Sequence, residues 1–290
     1  MRRRALTLLG SLVVLLNVVT WTIVDTTHVE AADFGLAAAV TAPRYVAADP
    51  LPTYTFVPPA GPVTQPVRLL VALHGMGGSG ADMAAMLGPL AAQHGWALLA
   101  PTLPYRDYRD PELVRKDAEL LPRLRALIDS LPARTGVSIK PGILMFGFSR
   151  GSQEAIRFSL MFPDYTLGVA GLSAGSYTLP STTYADGQAM KYPYGIADVD
   201  TICGEKFNVA ATKQIAFWIG VGGADTKPDD VPRQWDALVG TNRLERAQRF
   251  AEILQQFGAR ASFEVFPGAG HEVTSAMRDD AFRFLSSVAS

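Results

Sequence analysis

Leu144-Met145-Phe146-Gly147-Phe148-Ser149-Arg150-Gly151 is the stretch whose reading decides the fold. The apolar run at 143–148 leads straight into the serine, and a helical pattern at 153–162 leaves it. Strand, sharp turn and helix around Gly147-Phe148-Ser149-Arg150-Gly151 make a G-x-S-x-G nucleophile elbow. The serine of such an elbow sits in a strained turn, and bulk at either flank would block it, hence the glycines. The turn lifts the hydroxyl out of the sheet, where a substrate and a base can both reach it. This points to acyl-transfer chemistry.

The pattern occurs twice. Gly171-Leu172-Ser173-Ala174-Gly175 also follows an apolar run, at 167–172. What comes next, Ser176-Tyr177-Thr178-Leu179-Pro180, has no helical period. Ser173 therefore reads as a loop residue at a strand end, and Ser149 as the nucleophile.

Outward from the elbow, strand and helix patterns alternate. Strands are expected at 53–57, 67–73, 97–100, 143–148, 167–172, 214–221 and 261–266. Several are continuous apolar runs, as strands buried on both faces are. Helices are expected at 81–94, 111–131, 242–257 and 272–288, with Pro122 a kink or the start of a second segment, and Gly95 and Gly258 as stops. The alternation implies a parallel sheet with helices on both faces. Residues 173–212 break the rhythm. They carry Tyr177, Tyr184 and Tyr192, two prolines and no period. An irregular stretch of that length is expected to serve function or to be partly disordered.

The bulk properties narrow the class. The chain has 290 residues, a net charge of −1 and 48% hydrophobic residues, enough for a large core and without a basic footprint for nucleic acid. The basic residues around Arg243 to Arg249 alternate with apolar positions and read as a solvated helix face. The single cysteine, Cys203, excludes an intramolecular disulfide and reads as a structural thiol. The four histidines show no metal-ligand spacing, so no metal is expected. At the N-terminus, Arg2, Arg3 and Arg4 precede an apolar run at 5–24 and then a small-residue stretch. Residues 1–32 read as a secretory signal peptide or, because the run exceeds the usual ~7–15 residues, a membrane anchor. Either places the rest outside the cytoplasm, secreted or periplasmic, with the membrane reached only through this segment; N-terminal sequencing of the mature protein distinguishes the two. Residues 33–50 read as a linker or first edge strand, and 51–290 as one catalytic domain.

An elbow serine takes its partners in the order Ser, acid, His. His28 lies in the leader, and His74 and His94 precede Ser149; only His271 follows it. His271 stands in Pro267-Gly268-Ala269-Gly270-His271, just past the last strand, where a base must be to reach the serine. The acid has more candidates. Asp225 follows strand 214–221 after Gly222-Gly223-Ala224, and a short loop beyond a strand end suits it best. Asp229, Asp230, Asp198 and Asp200 are the others, and each also suits a turn or a cap.

After strand 67–73 comes His74-Gly75-Met76-Gly77-Gly78-Ser79-Gly80. Gly75-x-Gly77-x-x-Gly80 satisfies a dinucleotide fingerprint, but residues 91–103 hold no acid for the ribose. The preferred reading is an oxyanion loop whose main-chain N–H groups meet charge developing on a carbonyl oxygen. Its donors are the N–H of Met76 and the N–H of Arg150. The His74 ring reads as a packed structural group. Tyr177, Tyr184, Tyr192, Trp218 and Trp235 are candidate pocket walls, with core packing the competing reading for each and the favoured one for Trp218.

The pieces Leu73 to Gly80, Gly147 to Gly151 and Gly268 to His271 resemble an α/β-hydrolase of serine-esterase type, with secreted polyhydroxybutyrate-depolymerase-like and feruloyl-esterase-like members the most similar. The resemblance implies a mostly parallel sheet of about eight strands, no cofactor, Ser149, Asp225 and His271 as a triad, and a cap or lid at 173–212. Residues and resemblance together lead to a serine carboxylic-ester hydrolase acting on a small-molecule or polymeric ester. A peptidase or thioesterase on the same triad and a non-enzymatic binding scaffold are the alternatives.

Overall fold

The structure, a computed structural model, describes residues 49–59 and 63–289. The leader expected at 1–32 and nearly all of the linker expected at 33–50 lie outside the described residues. Among those described, no helix is long and apolar enough to cross a membrane.

In chain order the elements are β1 (Tyr54–Val57), β2 (Leu69–Leu73), α1 (Gly80–Gln93), β3 (Ala97–Pro101), α2 (Pro111–Lys116), α3 (Leu120–Thr135), β4 (Ile143–Phe148), α4 (Arg150–Met161), β5 (Thr166–Leu172), α5 (Asp200–Cys203), α6 (Val209–Gln214), β6 (Ala216–Gly222), α7 (Asp236–Val239), α8 (Arg243–Phe257), β7 (Arg260–Phe266) and α9 (Ser275–Ala289). Seven strands form one sheet in the order β1-β3-β2-β4-β5-β6-β7. β1 runs antiparallel to β3 and every other pair is parallel.

The strand patterns follow from position in the sheet. Every residue of β2, β3 and β6 is buried, because helices cover both faces. Edge strand β7 instead exposes Arg260, Ser262 and Glu264, and charge on an edge discourages pairing with another chain. Alternate residues feed two cores. Val71, Met145, Val169 and Phe217 pack with Leu124, Leu127, Ile156 and Phe250 of α3, α4 and α8. Leu70, Leu144, Ala170 and Trp218 pack with Leu87 of α1 and Met277, Phe282 and Leu285 of α9.

The helix expected at 111–131 is two helices, broken at Asp117–Glu119 rather than at Pro122. Pro122 lies in the first turn of α3, where a missing N–H leaves no helical bond unmade. Asp117 stands at the break, and its buried carboxylate accepts from the main-chain N–H of Arg106 and from the Arg150 side chain. The basic run on α8 is also not a solvated face. Arg243 and Arg246 are buried, and Arg249 is the exposed one. Residues 173–212 are irregular but packed. Tyr177, Leu179, Met190, Tyr192, Ile196 and Cys203 join the core on the α3–α4–α8 side. Side chains tie the segment down: Arg157 donates to Ser176 and Thr178, Arg115 to the Tyr192 carbonyl and Asp198, and Trp235 to the Tyr177 carbonyl.

Candidate active site

Ser149 stands between β4 and α4 with φ 54° and ψ −115°, a left-handed backbone that non-glycine residues rarely hold. The flanking glycines are needed for different reasons. A Cβ on Gly147 would overlap the Gly151 carbonyl inside the turn, and one on Gly151 would overlap the Leu73 carbonyl at the end of β2. The Ser149 N–H donates to the Leu172 carbonyl at 2.8 Å, which extends the β4–β5 ladder into the turn and holds the strained residue.

The long-range partners converge here. His271, in the loop after β7, places Nε2 3.0 Å from Ser149 Oγ. Its Nδ1 lies 2.8 Å from Oδ2 of Asp225, in the loop after β6. Asp225 is buried. Burial alone would raise its carboxyl, but the His271 hydrogen bond and the Arg243 charge outweigh that and hold it below the usual carboxylate range. An ionised carboxylate only accepts, so Nδ1–H of His271 donates to it, and the lone pair of Nε2 faces the serine hydroxyl. The Phe148 ring packs against the imidazole at a centroid distance of 4.9 Å.

Of the competing acids, Asp198 is engaged with Arg115 and the Tyr192 N–H, and Asp230 offers its main-chain carbonyl to Arg243. Asp200 heads the short helix α5, and Asp229 sits in a one-turn helix at Pro228–Asp230.

The glycine-rich loop follows β2, the strand beside β4, with Leu73 opposite Gly147. The Gly78 N–H donates to the Gly75 carbonyl at 3.1 Å, and Gly77 has φ 77°, so Met76 sits at the crest of a tight turn. A Cβ on Gly75 would lie 3.3 Å from Ser149 Cβ, so the loop's main chain passes directly beside the serine. Arg150 opens α4, and the first amides of a helix lack carbonyl partners within it. Met76 thus stands at a turn crest next to Gly75, and Arg150 follows the serine at the positive end of a helix. The dinucleotide alternative finds two of the amides there already engaged. At the start of α1 the Gly80 N–H donates to Thr102 Oγ1 and the Asp82 N–H to Ser79 Oγ.

His74 is a structural group. Its Nδ1 lies 2.7 Å from the Gly75 carbonyl, and its Nε2 2.9 Å from the Leu103 N–H. A carbonyl needs a donor and an amide needs an acceptor, so the ring is neutral with its proton on Nδ1, and burial pulls its pKa down. Ser173 shares the left-handed backbone, with φ 50°, but it is fully buried and its Oγ has no hydrogen-bond partner among the described residues. The same motif therefore gives a reachable hydroxyl in one place and a packed one in the other. Tyr177, Tyr192, Trp218 and Trp235 are core residues. Tyr184 and Tyr192 line a cleft of about 530 Å³ with Arg115, Lys191 and Tyr194.

The elbow rests on a polar network that sequence reasoning misses. Arg150, Gln153, Glu154 and Arg157 of α4 are all buried, at the i, i+3, i+4, i+7 spacing of one helix face. Arg150 pairs with Asp117 at 2.7 Å and Glu154 at 3.0 Å, and Arg157 pairs with Glu154 at 2.8 Å. The regular spacing is the available signal, but it reads equally as a solvent face. Among the described residues, no three His, Cys, Asp or Glu side chains gather as a metal set would.

No known protein family and no curated protein matches the sequence. Solved structures do. Poly(aspartic acid) hydrolase-1 from Sphingomonas sp. KT-1 is 22% identical, with 81% of this chain and 92% of that one covered and a TM-score of 0.60. Esterase PE8 is 21% identical, with 81% and 98% covered and a TM-score of 0.55. A ferulic acid esterase from the fungus Anaeromyces mucronatus is 15% identical, with 81% and 84% covered and a TM-score of 0.55. These likenesses establish the fold: the chain has the α/β-hydrolase fold, with seven described strands where the resemblance implied about eight.

Proposed function

We propose that this chain is a serine hydrolase that cleaves carboxylic esters through an acyl-serine intermediate. The observation that carries the reading is the continuous chain from Ser149 Oγ through His271 to buried Asp225, at 3.0 and 2.8 Å. His271 Nε2 takes the hydroxyl proton as Oγ bonds to the ester carbonyl carbon. Asp225 keeps the ring in the tautomer this requires and stabilises the imidazolium that forms. The amides of Met76 and Arg150 receive the negative charge on the carbonyl oxygen, and losing one such donor typically costs about 3 kcal/mol of transition-state stabilisation. The imidazolium then returns its proton to the departing alkoxide. Water, deprotonated by the same ring, attacks the acyl-serine and frees the acid.

An ester is preferred because its alkoxide leaves more readily than an amine, and two of the structural neighbours above carry the name esterase. The expected outcome is turnover of p-nitrophenyl esters and a single covalent adduct with a fluorophosphonate, located at Ser149 by mass spectrometry. Ser149→Ala should remove the adduct and lower kcat by about 10⁴- to 10⁶-fold. A peptide amide assayed beside the esters tests the peptidase alternative, which a faster amide reaction would favour. Absence of any adduct on folded protein would favour a binding scaffold.

A further inference from the structure

Asp225 shows one oxygen to His271 and the other to a guanidinium. Arg243, the first residue of α8, donates from Nη1 to Asp225 Oδ1 at 3.1 Å and from Nη2 to the Asp230 carbonyl at 2.8 Å. The Arg243 and Asp225 side chains are 7% and 2% exposed. The start of α8 is fixed independently of this contact. The Asn242 side chain accepts from the Glu245 N–H, and the Glu245 carboxylate accepts from the N–H and hydroxyl of Thr241. The guanidinium is therefore presented from a built platform.

We propose that Arg243 is a positioning residue of the reaction above, setting both the orientation of Asp225 and the pH at which the Asp225–His271 couple takes up a proton. This rests on the ester-hydrolase reading and adds to it a determinant of the working pH range.

Two physical effects combine. Gripping Oδ1 stops the carboxylate from rotating, so Oδ2 stays aimed at Nδ1 of His271. The cation behind the carboxylate also offsets part of the negative charge that would otherwise favour an imidazolium. A proton added to the couple, on either member, is repelled by Arg243, so the couple stays ready to act as a base at lower pH than it otherwise would. The depressed carboxyl of Asp225 is in keeping with this.

The other groups around the couple do not supply the effect. Arg246, also on α8, is committed to Asp236 and to the carbonyls of Gly175 and Pro232. Tyr177, from the segment after β5, has its phenol pushed up by burial and is neutral. On the elbow side stand the uncharged Ser149 and Phe148, while the Arg150 side chain turns away to Asp117. Glu272, beside His271, lies within reach of the Gly270 N–H and is exposed.

The test is the pH dependence of kcat/KM for a p-nitrophenyl ester in the wild type, Arg243→Gln and Arg243→Lys, each first checked for folding by circular dichroism. Removing the charge in Arg243→Gln should move the acidic limb up by about one pH unit, the low end of what a neighbouring charge does. Arg243→Lys keeps the charge but loses the fork; its plateau should fall while its limb stays. A purely structural ion pair would lower the plateau of Arg243→Gln without moving the limb, and that result overturns the proposal. If Arg243→Gln does not fold, Arg243→Lys carries the test, and a limb raised despite the retained charge overturns it. A wild type that neither turns over esters nor labels at Ser149 removes the parent reading as well. An active wild type with an unmoved limb in Arg243→Gln sinks this inference alone.

Discussion

At position 74 an imidazole lies between a carbonyl and an amide, and that local fact has a consequence for the folded state. The ring is held neutral, so its pKa is lower folded than unfolded. As pH falls through the unfolded value of about 6.5, the unfolded chain takes up a proton that the native ring resists. Stability from this group is complete above that value and is lost progressively below it, down to the depressed native value. The urea midpoint of the wild type should fall as pH drops below about 6.5, and His74→Gln should flatten that fall while lowering stability at pH 7. An unchanged slope in the variant would show that other groups set it. Sequence order alone isolates His271 as the late histidine, because His74 and His94 come too early. It cannot show that the His74 ring sits between two main-chain groups, since that depends on the path of the 102–103 loop. The choice of Ser149 over Ser173 is legible from the helix that follows one and not the other. That both share a left-handed backbone is not, because φ is fixed by the strand ends around each.

At the scale of elements, α4 carries the most information. Its twelve residues are all buried, including Arg150, Gln153, Glu154 and Arg157. A helix that holds the nucleophile in strain needs a rigid base, and charges locked against Asp117 and the segment after β5 supply one. Glu154 pairs with both arginines, so Glu154→Gln leaves two guanidinium groups facing a neutral amide. Breaking a buried pair from one side typically destabilises by about 3–5 kcal/mol. The variant should lose stability on that scale, read as a lower urea midpoint at unchanged slope. Arg249→Ala, which breaks an exposed pair with Glu252, should change stability by less than about 1 kcal/mol. If the two variants behave alike, the network is not a support. The polar stripe is present in the sequence, but nothing there tells a solvent face from an internal one. The deciding facts are distant in the chain: Asp117 before α3, and Ser176 and Thr178 after β5. The same holds for α8, where alternating arginines and apolar residues suggest an exposed face and the folded chain turns two of them inward.

For the molecule as a whole, the sheet is legible because parallel strands covered on both faces appear as unbroken apolar runs. β2, β4, β5 and β6 stand where their runs predict. The break at Asp117 is not legible, because Pro122 offers a more obvious reason to stop. Residues 173–212 resist reading for a related cause. They are held by side chains of distant elements reaching main-chain carbonyls, a scheme with no period. Within them α5 ends on Cys203, buried, with its Sγ donating to the Val199 carbonyl and its thiol pushed up by burial. No other thiol exists in the chain. Alkylation by iodoacetamide therefore keeps a clock on the native state, since each modified molecule is one that has opened at this place. If the segment is a true part of the core, modification in dilute urea should proceed only as fast as the whole chain unfolds by circular dichroism. If it opens on its own, the clock should run ahead of global unfolding.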